Sequence, residues 1–393
     1  MHNKLSVISR SSCIARPLIM TALLAAHFCG GLRAQSQVLS APSMQPLPGP
    51  MPDPTHAEIQ PRLDVDHDPI PSPDPDESEH SITTTPTGPA RPGEIQKRRD
   101  GVYTLHEDVD EVLLTCAVVD DKGRPVTDLK RTDFRIWEDG VPQATTSFLH
   151  QDEPVSLGII VDNSGSMLDK RVAVNGAAMN MLRASNPQDS TFIVNFSDRS
   201  FLDQGFTSDI GALNRGLSHF DSKGTTAMYD AVAASADELA RHGRLQRKVL
   251  LVITDGADNA SRLELEQAIR RVQDLGGPVV YTIGLLYGAD KPEAQRARDA
   301  MEKLSAETGG IAYFPSSLDV VDTVAEQVAR DIREQYTIGY RSSRPATDEG
   351  YRTLRVMASA PRHGKLTVRA RKGYFAKRPA RDASSQTAQA VSQ

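Results

Sequence analysis

Residues 157–166 read LGIIVDNSGS, an apolar run that ends in a carboxylate and two hydroxyls. The apolar part is short and contains several β-branched residues, which favours a buried strand of a parallel sheet. Asp162, Ser164 and Ser166 then occupy alternate positions at the end of this strand. Open α/β sheets bind their ligands at the carboxyl ends of the strands. The stretch therefore predicts an α/β fold with a candidate cation site at one edge of the sheet.

Apolar runs alternate with helical periodicity over residues 155–334, outward from this strand. We expect strands near 156–161, 190–196, 248–254, 279–285 and 311–314, with an antiparallel edge strand around 201–206. We expect helices near 169–184, 209–219, 227–242, 261–275, 292–307 and 318–334. This alternation is typical of a doubly wound, mostly parallel sheet that helices cover on both faces.

Both flanks of the α/β region are rich in strand patterns, beginning with the run 112–119. Each flank alone is small for a domain with its own core. We therefore predict that residues 100–150 and 335–376 form one small β-sandwich, with the α/β domain, residues 151–334, inserted between them. The alternative is a separate appendage built from the C-terminal strands alone.

The first 34 residues have the pattern of a secretory signal peptide. Positive charges precede the apolar run 18–26, and a plausible cleavage site lies before Gln35. The run is shorter than the roughly 20 residues that span a bilayer, which favours cleavage over a retained anchor. We expect an exported protein without a membrane span after signal removal, located in the periplasm, on the cell envelope or outside the cell.

Residues 35–99 contain 14 of the 25 prolines and few large apolar side chains. Such a segment cannot bury enough surface to offset the entropy of ordering it, so we predict a disordered linker. We predict a second disordered segment, a tail, over residues 377–393.

Charge and cysteine content exclude some classes of function. The formal net charge of -6 indicates no nucleic-acid partner. Cys13 and Cys29 lie in the signal segment, so Cys116 is the only cysteine that remains after cleavage. An intramolecular disulfide is then excluded, and Cys116 is most simply a small buried apolar residue.

Two further loops are expected at the same edge of the sheet as Asp162. One is the stretch 221–226, DSKGTT, which precedes a predicted helix, and the other is 254–259, TDGADN, which follows a predicted strand. Both carry hydroxyl and carboxylate oxygens, among them Thr225, Thr226 and Asp255. Oxygen ligands of this kind suit Mg²⁺, with Mn²⁺ or Ca²⁺ as alternatives.

Three motifs together resemble the von Willebrand factor type A domain and its metal-ion-dependent adhesion site. They are the Asp-x-Ser-x-Ser after an apolar strand, GTTAMYDA at 224–231 and ITDG at 253–256. They follow the order and spacing of that family, and the resemblance covers about 155–334. The flanking segments resemble exported bacterial proteins that contain this domain.

The resemblance implies a role for each residue of the candidate site. Ser164, Ser166 and Thr226 match the positions that ligate the metal directly in the family, with Thr225 as the rival for the threonine position. Asp162 and Asp255 match aspartates that act largely through water. The implied function is a binding module without catalysis, in which an Asp or Glu of a protein ligand completes the coordination of the cation.

Two other functions are compatible with these loops. A Mg²⁺-dependent phosphohydrolase of doubly wound fold commonly has a second aspartate where this chain has Ser164, and that aspartate transfers the proton. A structural envelope protein, in which the metal only stabilises the fold, is the second alternative. Nucleotide-binding glycine motifs and a Gly-x-Ser-x-Gly nucleophile elbow are not found after any predicted strand.

Overall fold

The computed structural model describes residues 61–64, 95–97, 103–105, 111–219, 221–345 and 348–376. The predicted signal peptide 1–34, most of the predicted linker 35–99 and the predicted tail 377–393 lie outside the described residues. Within the described part, none of the helices combines the length and the apolar content that a bilayer crossing requires.

The secondary structure alternates as the sequence indicates. The strands within the described residues are, in chain order, β1 (Leu63–Asp64), β2 (Ile95–Lys97), β3 (Tyr103–Leu105), β4 (Glu111–Val119), β5 (Phe134–Glu138), β6 (Val141–Gln143), β7 (Thr145–Leu149), β8 (Val155–Asp162), β9 (Ser190–Phe196), β10 (Ser200–Thr207), β11 (Arg247–Thr254), β12 (Val279–Gly284), β13 (Ala312–Tyr313), β14 (Tyr336–Arg341), β15 (Gly350–Ala358), β16 (Thr367–Ala370) and β17 (Gly373–Ala376). The α-helices there are α1 (Arg171–Ala184), α2 (Ile210–Leu217), α3 (Met228–His242), α4 (Leu265–Asp274), α5 (Lys291–Thr308) and α6 (Val321–Arg333).

A seven-stranded sheet in the order β1-β10-β9-β8-β11-β12-β13 forms the centre of the α/β region. Strands β8, β9, β11, β12 and β13 are parallel, whereas β10 runs antiparallel to β9. All of β8 is buried, because helices cover both faces of the sheet. Gly158 in β8 allows close packing, since a Cβ at this position would lie 2.4 Å from the ring of Phe192.

Two apolar cores lie on the two faces of this sheet. One core combines α1, α2 and α6 with one face of the strands, and the other combines α3, α4 and α5 with the opposite face. Alternation along β8 serves both cores, because Ile159 and Val161 belong to the first and Ile160 to the second. The sheet is therefore doubly wound.

The flanking strands form two four-stranded antiparallel sheets around a third core. In the sheet β16-β4-β14-β7, β4 from the N-terminal flank lies between two strands of the C-terminal flank. In the sheet β17-β15-β5-β6, β15 of the C-terminal flank pairs with β5 of the N-terminal flank. The predicted fold class, a mostly parallel α/β sheet flanked by a small sandwich of N- and C-terminal strands, is confirmed.

The sandwich contacts the α/β region at the end of the sheet where the parallel strands begin. Arg371 donates hydrogen bonds to the carbonyl oxygens of Leu113, 2.9 Å away, and of Gly276, 3.1 Å away, just before β12. Lys372 forms an ion pair of 2.9 Å with Glu307 near the end of α5. The connecting loops therefore form the opposite edge of the sheet, where the parallel strands end.

Part of the segment predicted to be a disordered linker has secondary structure. Strand β1 pairs with β10, Leu63 packs against the second apolar core, and Asp64 forms an ion pair with Arg199. Strand β2, which also falls in this segment, pairs with β3. The prediction of disorder is corrected at these two places, because edge pairing supplies backbone hydrogen bonds that composition does not reveal.

Helix α4 begins later than the predicted start at residue 261. Asp230 accepts hydrogen bonds from the backbone nitrogens of Arg262, at 3.1 Å, and Leu263, at 3.0 Å. Asp258 accepts from the nitrogen and the hydroxyl of Ser261, at 3.1 and 2.6 Å. These side chains hold the preceding residues as a loop, which shortens the helix and fixes the position of the loop after β11.

Candidate metal centre

Three loops meet at the edge of the sheet where β8 and β11 end. These strands are parallel neighbours with Val161 opposite Ile253, so the residues that follow them emerge side by side. The loop before α3 joins them, because the nitrogen of Lys223 donates to the carbonyl oxygen of Asn163 over 2.9 Å. The nitrogen of Asn259 donates to the carbonyl oxygen of Thr226 over 3.0 Å. Backbone hydrogen bonds thus connect all three loops.

Asp162 lies buried beneath the loops at this edge of the sheet. Its side chain is fully buried, and its two carboxylate oxygens accept hydrogen bonds from the nitrogen of Ser164, at 2.8 Å, and the hydroxyl of Thr254, at 2.5 Å. Burial raises the pKa of the Asp162 carboxyl to about 6, although these two hydrogen bonds oppose the shift. The carboxylate is therefore held in one orientation under the loop that carries the two serines.

Ser164, Ser166 and Asp255 form a continuous line of oxygen atoms above Asp162. The two serine hydroxyl oxygens lie 3.2 Å apart, and the hydroxyl of Ser166 donates to Asp255 Oδ1 over 2.7 Å. Ser164 and Asp255 are buried, whereas Ser166 is exposed. The cluster is therefore closed on the side of the sheet and open to solvent at Ser166.

Thr226 faces this line from the third loop, and Thr225 is more exposed. Thr226 is buried, and its nitrogen donates to Asn259 Oδ1 over 2.9 Å. Its hydroxyl oxygen lies 3.9 Å from the place that a Cβ on Gly256 would occupy, so it points towards the loop that contains Asp255. The structure thus favours Thr226 over its exposed neighbour Thr225 as the threonine of the site.

Lys170 also contacts the cluster, and the sequence analysis did not assign it to the site. Its ammonium group forms an ion pair with Asp255 Oδ2 and donates to the carbonyl oxygen of Ser166 over 3.2 Å. The ring of Tyr287 lies 6.0 Å from the same nitrogen. One carboxylate oxygen of Asp255 therefore contacts a hydroxyl and the other contacts a positive charge.

Asparagine side chains that the sequence analysis also missed brace the loops. Asn163 Nδ2 donates to Asp221 Oδ1 and Asn163 Oδ1 accepts from the nitrogen of Ser222, both over 2.9 Å. The position of Asn163 between the aspartate and the first serine of the motif was the available signal, because asparagine commonly bonds to nearby backbone. Asn259, four residues beyond Asp255, offered a weaker signal of the same kind.

The residues brought together fit a hard divalent cation. The set consists of the hydroxyls of Ser164, Ser166 and Thr226 and the carboxylates of Asp162 and Asp255, all oxygen donors of the type that Mg²⁺ prefers. Among the described residues, no cluster of three or more His, Cys, Asp or Glu side chains suits a metal. A cation site in this part of the chain would thus depend on hydroxyl groups.

A polar cleft of about 400 Å³ lies beside the site. Its lining includes Asn163, Arg199, Asp203, His219 and Asp221. The cleft shares Asn163 and Asp221 with the braced loops. Asp203 is buried there and accepts from the nitrogen of Asn195 over 3.1 Å.

Several solved structures resemble this chain. An aerotolerance-related membrane protein from Bacteroides fragilis is 18% identical, with a TM-score of 0.38, over 46% of this chain and 99% of the other. A von Willebrand factor type A protein from Catenulispora acidiphila is 14% identical, with a TM-score of 0.41, over 62% and 72%. The vWF domain of the type V pili tip protein Mfa5 from Porphyromonas gingivalis is 12% identical, with a TM-score of 0.37, over 46% and 96%.

Comparison of the sequence with protein-family models matches a shorter part of the chain. No curated protein matches the chain significantly. Residues 157–257 match the family model of the von Willebrand factor type A domain, and this range includes most of β8, the loop before α3 and the first residues after β11. The part of the chain that matches this family model carries all five residues of the candidate site.

Proposed function

We propose that this protein is an exported binding module that recognises a protein ligand through a divalent cation. The observation that carries the proposal is the chain of contacts that links Asp162, Ser164, Ser166 and Asp255, in which Ser166 is exposed and the other three residues are buried. The buried side chains would hold the cation, and the exposed position of Ser166 would leave it accessible to a partner.

Ser164, Ser166 and Thr226 would hold the cation directly, and Asp162 and Asp255 would orient them or act through water. The cation, Mg²⁺ or alternatively Mn²⁺ or Ca²⁺, supplies a positive charge that neutral hydroxyls compensate only in part. An Asp or Glu side chain of the partner would then complete the coordination. The sandwich lies at the other end of the sheet, which supports this edge as the docking side.

The arrangement supports binding better than catalysis. In a phosphohydrolase of this type, the residue two positions after the first aspartate transfers a proton, and here that position is Ser164. Lys170, whose ammonium also contacts this edge, forms an ion pair with Asp255. We therefore propose a role without catalysis, at the cell envelope or outside the cell, in keeping with the predicted signal peptide.

Calorimetric titration of Mg²⁺ into the purified chain tests the site. We expect a saturable signal in the wild type that the double variant Ser164→Ala/Thr226→Ala lacks. An unchanged isotherm in the double variant would refute the assignment of these ligands.

Capture of partners from the native envelope, with and without chelator, tests the function. Asp255→Ala separates binding from a purely structural role of the metal. We expect this variant to lose cation-dependent capture at temperatures where it remains folded. If it captures the same partners and only its melting temperature falls, the metal has a structural role.

A further inference from the structure

Lys170 places a positive charge inside the candidate cation site. It precedes the first residue of α1, and its side chain is 21% exposed, while the side chain of its partner Asp255 is 1% exposed. Its ammonium contacts Asp255 Oδ2 and the carbonyl oxygen of Ser166. Two residues of the proposed cation set are therefore in direct contact with a lysine of the same chain.

Asp255 has both carboxylate oxygens engaged in this arrangement. Ser166 contacts Oδ1 through its hydroxyl, and Lys170 contacts Oδ2. The two carboxylates of the site, Asp162 and Asp255, carry two negative charges when ionised, and the ammonium compensates one of them. A divalent cation that binds here meets a less negative site and a nearby like charge, both of which weaken its attraction.

We propose that Lys170 is a resident counter-charge that sets the cation affinity of this site. The inference rests on the proposed function, because it concerns the same cation. A bound cation must share Asp255 with the ammonium or displace it towards solvent, and the partial exposure of Lys170 leaves room for that displacement. Cation binding, and the partner capture that depends on it, then requires a higher cation concentration than the oxygen set alone would need.

The ion pair between Lys170 and Asp255 also stabilises the protein. Removal of Lys170 is therefore expected to change the stability and the cation affinity in opposite directions. Removing the lysine leaves Asp255 buried without a counter-charge, which lowers the stability of the protein measured in the presence of chelator. The same removal raises the affinity for a divalent cation. A cation that binds the folded state raises the melting temperature in proportion to the logarithm of its concentration over its dissociation constant. The thermal shift on adding cation is therefore expected to be larger without Lys170 than with it.

Titration of Mn²⁺ into the full chain, by calorimetry, tests the proposal with three lysine variants. Lys170→Met removes the charge but keeps much of the apolar stem, and we expect affinity to rise by about tenfold. Lys170→Arg keeps the charge, and we expect affinity close to that of the wild type. Lys372→Met is the matched control, because Lys372 forms an ion pair with Glu307 at the opposite end of the sheet. We expect it to leave the affinity unchanged.

Thermal unfolding of the same proteins, with Mn²⁺ and with chelator, provides the second readout. The proposal is supported if Mn²⁺ raises the melting temperature of Lys170→Met by more than it raises that of wild type and Lys170→Arg. It is also supported if Lys170→Met binds Mn²⁺ and the wild type does not. Equal or weaker Mn²⁺ affinity in folded Lys170→Met overturns it but leaves the proposed function intact if the wild type binds Mn²⁺. An equal gain in Lys372→Met also overturns it, because the effect would then reflect net charge. If neither wild type nor Lys170→Met binds, both proposals fail.

Discussion

Two regions of this molecule place buried carboxylates in opposite surroundings. Glu138 in the sandwich accepts hydrogen bonds from four donors, the hydroxyls of Tyr340, Tyr374 and Ser342 and the guanidinium of Arg352. Its side chain and that of Arg352 are almost inaccessible to solvent. The Glu138 carboxylate is therefore saturated and closed to solvent, as expected of a group that stabilises packing.

The carboxylates at the sheet edge are held differently. Asp162 and Asp255 contact serine and threonine hydroxyls that retain free lone pairs, and the line of oxygens reaches solvent at Ser166. The ion pair of Asp255 is formed with a partly exposed lysine, whereas that of Glu138 is formed with an enclosed arginine. The difference teaches that packing can saturate a buried carboxylate, as at Glu138, or leave it beside hydroxyls that reach solvent, and only the second arrangement leaves acceptor atoms accessible.

Deletion of residues 336–376 is expected to have the largest effect on the closed region. All four donors to Glu138 lie in this segment, and β4 loses its neighbours β14 and β16. We expect residues 102–148 to lose their β structure as well, because they then lack a common core. Circular dichroism during thermal unfolding checks this. A cooperative β transition in the truncated protein would show that the N-terminal strands fold without their partners.

Arg352→Met is expected to destabilise the protein by about 3–5 kcal/mol, because it leaves Glu138 buried without its counter-charge. Arg344→Met is the matched control, since Arg344 forms an ion pair with Asp139 at a more exposed position of the same sandwich. Exposed pairs contribute about 0–1 kcal/mol. Urea unfolding of both variants measures the difference. Similar losses of unfolding free energy in the two variants would mean that the buried pair of Glu138 and Arg352 stabilises the protein no more than an exposed pair does.

Thr226→Ala is expected to weaken Mn²⁺ binding by about tenfold or more, comparable to the loss of a group that orients a metal site. Thr225→Ala, its matched neighbour, is exposed and is expected to change the affinity by less than about twofold, in line with surface substitutions. Competition with a metal-sensitive dye measures the Mn²⁺ affinity of each variant. The reverse order of effects would assign the ligand role to Thr225.

The smallest expected effect is the change that Glu138→Gln makes in the pH dependence of stability. Burial favours a higher pKa for Glu138, but hydrogen bonds from Ser342, Tyr340 and Tyr374 and the charge of Arg352 outweigh it and lower the pKa below its ordinary value. The resulting stabilisation is complete above the unfolded-state pKa and is lost as the pH falls through the lowered value. Glu138→Gln should therefore flatten the acid limb of stability against pH. Urea midpoints with the same pH slope in both proteins would contradict this.

The sequence was sufficient to predict the framework of the fold and the loops of the candidate site. Long apolar runs such as β8 and β11 specify strands buried on both faces, and the polar residues after them lie at one edge for topological reasons. The two-residue strand β1 is too short for a periodic pattern, so its pairing was missed. The late start of α4 depends on Asp230, which lies more than 30 residues earlier in the chain.

Contacts between distant side chains could not be predicted in the same way. Lys170 and Asp255 are 85 residues apart, and nothing in either local pattern indicates that they pair. The same holds for Glu138 and Arg352, which are 214 residues apart. Which carboxylate is saturated and which stays open is thus decided by tertiary packing, whereas the candidate ligands themselves follow from local motifs.

Electron paramagnetic resonance of Mn²⁺ titrated into the full chain tests the central claim most directly, because the signal of free aqueous Mn²⁺ falls as the ion binds. We predict a single saturable site in the wild type, retained in Glu138→Gln and lost in Ser164→Ala/Thr226→Ala. Absence of saturable binding in the wild type, or equal binding in the double variant, would contradict the claim that the open edge is a cation site.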